Sequence, residues 1–136
     1  MAFKLSNRSL RRMAGVNQKL VNIVELAIQR TPIDFGVAWM GGLRTAEEQN
    51  QLFKDGYSKC DGYEIHSKHQ LGNAVDLNVF VGSKFVENKE MLCVVAGVMF
   101  ACADELNINI RWGGDWDSDS DLRDNKFNDL YHYELT

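Results

Sequence analysis

Cysteine is scarce and scattered: three in 136 residues, Cys60, Cys93 and Cys102, with no C-x-x-C spacing. An odd number at such spacings points away from a disulfide framework and towards a reducing compartment. Cys93 and Cys102 lie in an apolar helical run and are expected to be buried thiols. Arg8, Arg11 and Arg12 are followed by no apolar h-region, so no signal peptide is expected and the chain is placed in the cytoplasm where it is made. No apolar run approaches ~18 residues, which argues against a membrane span. Excess positive charge is also missing. The formal net charge is -4 and no basic stripe occurs, so a nucleic-acid partner is not expected. Internal repeats, linkers and low-complexity tracts are absent. Histidine is limited to His66, His69 and His132, and any imidazole chemistry must draw on these three.

What remains is an ordinary globular composition, 45% hydrophobic and 25% charged, in a chain long enough for one domain with its own core. Ser9 to Arg30 carries Val16, Leu20, Ile23, Val24, Ala27 and Ile28, one apolar stripe on a helix that Pro32 ends. Ile33 to Met40 reads as a strand, broken by Gly41-Gly42. Thr45 with Glu48 three residues later is a capping box, so a helix starts there and runs to about Lys54, with Gly56 as a fitting C′ residue. Tyr57 to His66 is a loop. Ala74 to Val81 is a strand, Gly82-Ser83 a turn, and Lys84 to Val86 the antiparallel return. Asn88 to Glu105 is a long helix, apolar enough to be the most buried. Asn107 to Trp112 and Tyr131 to Leu135 are the remaining strands.

The chain is organised around Ser67-Lys68-His69-Gln70-Leu71-Gly72-Asn73-Ala74-Val75-Asp76. His69 lies on the loop leading into a strand and Asp76 near its start. Gly72 can take backbone angles closed to other residues, so the loop can double back and bring imidazole and carboxylate to one point. That is a partial ligand set for zinc. Two histidines and a carboxylate with an open fourth position make a catalytic site rather than a structural one, so the missing ligand should be a histidine. His132 shares a strand face with Glu134, and Asp129 precedes it by three residues. A carboxylate beside the ligands, but not one of them, suits the general base of a metal hydrolase. Singly, each of these residues is more often structural, and Asp129 could be a turn aspartate. Arg44, just before a helix N-terminus, is either a surface arginine or a clamp for an anion or carbonyl. His66-x-x-His69 could pair on a metal if helical; in a loop, His66 reads as a surface or supporting histidine. Asp115, Asp117, Asp119, Asp121 and Asp124 alternate like the first half of a calcium loop. Ser120 and Lys126 stand where that loop wants Gly and Glu, so the choice lies between a solvated acidic loop and a calcium site.

Ser67-x-His69-x-x-Gly72-x-Ala74-x-Asp76 together with Asp129-x-x-His132-x-Glu134 resembles the zinc D,D-peptidases of the vancomycin-resistance carboxypeptidase type. Gly42-x-Arg44-Thr45 with Gln49, and Trp112-Gly113-Gly114-Asp115-Trp116, resemble more narrowly the phage L-alanyl-D-glutamate endopeptidases. The likeness runs from about Gly41 to the C-terminus. One departure is Leu130-Tyr131, bulkier than the small or proline residues expected before that histidine. The resemblance implies zinc on His69, Asp76 and His132, Asp129 as general base, Arg44 polarising the scissile carbonyl, and Ser67 and Trp112 near the substrate. It implies an α+β fold of the hedgehog and D,D-peptidase kind: a small antiparallel sheet, helices on one face, zinc on the other. Residues 1–136 would form a single peptidase domain, without a separate cell-wall-binding domain and monomeric. The substrate would be a peptidoglycan stem peptide, and release from the host cytoplasm would need a holin-type partner. A D-alanyl-D-alanine carboxypeptidase would use the same machinery. A non-catalytic zinc-stabilised wall-binding module is the alternative of another class.

Overall fold

The computed structural model describes residues 2–123 and 128–136. Its elements are α1 (Asn7–Arg12), α2 (Gln18–Arg30), β1 (Asp34–Val37), α3 (Ala46–Lys54), β2 (Ala74–Val81), β3 (Lys84–Val86), α4 (Lys89–Glu105), β4 (Ile110–Gly113) and β5 (Asp129–Leu135). All sheet pairings are antiparallel, in the order β1-β2-β5-β4, with β3 also on β2.

β2 organises the sheet because its side chains divide cleanly by face. Val75, Leu77 and Val79 enter the core, joined by Tyr133 of β5 and by Ile110 and Trp112 of β4. α2 contributes Leu20, Ile23, Val24 and Ala27, and α4 contributes Leu92, Val95, Ala96, Met99, Cys102 and Ala103. Both helices pack on this side. Asp76, His132 and Glu134 occupy the opposite face, where Asp76 stands directly across from His132.

The expected single helix from Ser9 to Arg30 is two helices. Gly15, at φ +84°, turns the chain after α1, and the Asn17 side chain caps α2 by accepting from the Lys19 N–H. Apolar periodicity ran through this break because Val16 stays in the core across it. The α3 capping box is formed in both directions between Thr45 and Glu48. Gly82 and Ser83 both have positive φ, as a tight hairpin turn requires. β4 starts later than expected. Asn107, at φ +57°, and Ile108 close the end of α4 by donating to the Asp104 and Ala103 carbonyls, a Schellman arrangement that takes them out of the strand.

One expectation about α4 is corrected. Cys102 is buried, but Cys93 is exposed. The helix is apolar almost all round, while α2 and the sheet cover only one side of it. Cys93 and Val94 fall on the other side. All three cysteines are free thiols. Among the described residues no helix is long and apolar enough to cross a membrane.

Candidate metal centre

The loop before β2 folds as a chain of tight turns. Gln70, Leu71 and Gly72 donate in turn to the carbonyls of Ser67, Lys68 and His69. Gly72 sits at φ +73°, and a Cβ there would meet the Gly15 carbonyl at 2.7 Å. His69 is thereby carried back over the start of β2.

The segment from Ala38 to Arg44 then fixes both His69 and Asp76. The Ala38 N–H donates to the Asp76 carbonyl at 2.9 Å, and the Asp76 N–H donates to the Gly41 carbonyl at 2.8 Å. The Arg44 N–H donates to the His69 carbonyl. The Gly42 carbonyl stands 3.0 Å from His69 Nδ1. Gly42 must be glycine, since a Cβ would fall 1.9 Å from the Arg12 carbonyl oxygen.

Three side-chain atoms converge from these elements. Asp76 Oδ1 lies 3.3 Å from His69 Nε2 and 3.1 Å from His132 Nδ1. The two imidazole rings meet edge to face, with centroids 5.1 Å apart. The far nitrogen of each ring faces an acceptor: Gly42 O for His69, and Glu134 Oε1 at 2.9 Å for His132. Such acceptors hold an N–H on the far nitrogen and leave the near one as the atom that can bind a metal. Two imidazoles and one carboxylate, each with a ligand atom within 4.8 Å of the others, could hold a metal ion. The donor set is that of a three-ligand catalytic zinc site.

The electrostatics follow from this crowding. Burial opposes the charge on Asp76, but the two histidines outweigh it and hold the carboxyl well below its usual range. Burial likewise opposes charge on His132, yet its hydrogen bonds to Asp76 and Glu134 raise the imidazole to about 9. Asp129 moves upward, first through burial and then through the neighbouring Asp76 carboxylate.

Arg44 is committed to this cluster. Its Nε donates to the Met40 carbonyl at 2.7 Å, its Nη1 to Gln49 at 3.1 Å and its Nη2 to Asp76 Oδ2 at 3.0 Å. One Asp76 oxygen is thus held by Arg44 while the other faces the histidines. Among the described residues these bonds use three of the five guanidinium N–H donors. Arg44→Ala is therefore expected to weaken zinc binding by about 10–100-fold, the usual cost of removing a group that orients a ligand. Competition with a chromogenic chelator measures this, and unchanged affinity would show that Asp76 needs no such support.

Ser67 and Trp112 lie behind the centre. The Ser67 hydroxyl donates to Gln49 Oε1 at 2.8 Å. Trp112 is buried, its ring edge-on to Phe100 and its N–H donated to the Leu130 carbonyl. His66 is exposed and outside the cluster. Asp115, Asp117 and Asp119 gather as a second acidic group, whereas Asp121 pairs with Arg123 at 2.9 Å. Asp124 and Lys126 lie outside the described residues. Three residues that stood in the sequence motifs without an assigned supporting role hold the cluster in place. Trp116 places its ring 5.3 Å from that of His132. Gln49, fully buried, bridges Arg44, Ser67, Ser58 and the Cys60 carbonyl. Glu134 holds His132, and strand alternation was the available signal for it.

The chain is similar to known proteins. The chain is 29% identical over 125 residues to the L-alanyl-D-glutamate peptidase of Escherichia phage T5, covering 91% of this chain and 89% of that one. The crystal structure of the Serratia marcescens L-Ala D-Glu endopeptidase ChiX superposes with a TM-score of 0.79 at 25% identity, covering 98% of this chain and 90% of that one. The family model of the phage L-alanyl-D-glutamate peptidases matches residues 1–136 from end to end, and the chain belongs to that family.

Proposed function

We propose that the protein is a zinc-dependent endopeptidase of the endolysin type, hydrolysing the L-alanyl-D-glutamate bond of peptidoglycan stem peptides. The observation that carries this reading is the convergence of His69 Nε2, Asp76 Oδ1 and His132 Nδ1 beside the half-buried Asp129. Zinc held by those three atoms would acidify a water and polarise a carbonyl. Asp129 takes the proton from the attacking water and delivers it to the leaving amine, so the amide and water become a carboxylic acid and an amine. Burial and Asp76 raise its pKa, which suits a group that must both accept and return a proton. The remaining N–H groups of Arg44 offer donors to the carbonyl oxygen as charge builds on it. Glu134 and Gly42 keep both imidazoles in one orientation and tautomer.

Residues 1–136 act as one monomeric peptidase domain in this reading, released to the wall by a membrane-permeabilising partner of the holin type. Calcium on Asp115, Asp117 and Asp119 would order the loop leading to Asp129. Calorimetry showing no calcium uptake at millimolar concentration would remove that part. Digestion of purified peptidoglycan, with mass spectrometry of the products, tests the main reading. The expected products have new glutamate N-termini and alanine C-termini. Release of free D-alanine would indicate a carboxypeptidase, and no release a wall-binding module.

A further inference from the structure

β3 and β5 share one edge of β2. β3 pairs with Val79–Val81 and β5 with Ala74–Asp76, while β1 takes the other edge. Leu77 and Asn78 are left between the two strand ends. There the end of β3 turns into α4, facing the start of β5 across a cavity of about 520 Å³. Its lining includes Glu87, Lys89 and Leu92 on one side and Asp129 and Tyr131 on the other. That volume is typical of a small-molecule or peptide subsite. Asp129 belongs both to this cavity and to the charged surroundings of Asp76 and His132. Asp129 is therefore the residue that links this cavity to the candidate active site.

We propose that this cavity receives the half of the substrate that leaves as the amine, with Lys89 contacting the free carboxylate of its glutamate residue. The inference rests on the function proposed above and deepens it. A base that returns its proton to the leaving amine must stand beside that amine, so the leaving residue lies on the Asp129 side. That residue is a glutamate. Only one of its two carboxyl groups can continue a linear chain, so the other remains as an anion close to the new amine. Lys89 is the one cation among the described residues of the lining. Glu87 and Asp129 make the rest of the cavity negative, which disfavours a bare anion. A segment that brings a carboxylate to Lys89, and whose amide nitrogen becomes an amine beside Asp129 once the bond breaks, matches both signs.

Two synthetic peptides test this, one with the free carboxylate on the glutamate and one with that group as a primary amide, both with the alanyl-glutamyl bond intact. With zinc-loaded wild-type enzyme, KM for the amide peptide should be about tenfold higher at similar kcat, the pattern of a lost binding contact. Lys89→Met should raise KM for the carboxylate peptide about tenfold and leave the amide peptide unchanged, abolishing the preference. Lys89→Arg should retain the preference. Lys89 is exposed, so both variants should fold, and their thermal transitions provide the control. No preference in the wild type, or an equal loss on both peptides in Lys89→Met, overturns the subsite while leaving the peptidase reading standing. Failure of the wild-type enzyme to cleave either peptide overturns both.

Discussion

Asp129→Ala should keep its zinc and lose ~10²–10⁴-fold in turnover, the usual contribution of a positioned acid–base group. The carboxyl is not among the three atoms that converge on the metal position, so its removal leaves the ligand set intact. Its charge is felt by His132 and Arg44, which places it beside the reacting centre. Asp129→Glu retains the carboxylate on a stem one methylene longer and should recover part of the rate. Because the base must start ionised, activity should fall as pH drops through the Asp129 pKa, which stands above the ordinary aspartate range. Glu134 is the competing candidate, and the structure argues against it. Its Oε1 accepts from His132 Nε2. Burial alone would raise its pKa, but His132 outweighs burial and lowers it, making it a weaker base. Zinc content measured alongside kcat decides the matter. Normal turnover in Asp129→Ala would remove it as the base, and loss of zinc would make it a ligand or a support.

Removing the metal should have the largest effect of all, with activity abolished by exhaustive chelation and restored by added zinc. His132→Ala should lose metal affinity and activity together, unlike Asp129→Ala. The proton balance offers a finer check. In the metal-free protein His132 is raised to about 9, so at pH 7 it carries a proton that must leave before Nδ1 can bind zinc. Zinc uptake at pH 7 should therefore release a proton, and apparent affinity should rise with pH until it levels off above about 9. This window lies higher than an unperturbed histidine, near ~6.5, would give. The same shift stabilises the metal-free fold. Its folded-state pKa exceeds the unfolded one, so the contribution is complete below ~6.5 and is lost as pH rises through about 9. Calorimetric titration in buffers of different ionisation enthalpy counts the released protons. Activity that survives chelation, with zinc shown to be gone, would sink the metallopeptidase reading.

Much of the scaffold was determined by sequence alone because local chemistry decides it. The capping box of α3, the Asn88 cap of α4, the Gly82-Ser83 turn and the limits of β2 each depend on a few neighbouring residues. The grouping of His69, Asp76 and His132 was legible from the motif, the scarcity of histidine and strand alternation. The break at Gly15 was also written locally, but a continuous apolar stripe masked it. Tertiary structure alone decided how the cluster is supported. The carbonyls of Met40 and Gly42 hold Arg44 and His69, and a backbone carbonyl leaves no mark on residue identity. Arg44 meets Asp76 from 32 positions away, a contact that exists only once β1 and β2 have paired. Burial on α4 followed the same rule. An all-round apolar helix shows that it will be covered but not on which side, so Cys102 is enclosed and Cys93 is left exposed. The cavity beside Asp129 arises where two strands end along one edge of a third, and only the assembled sheet brings those ends together.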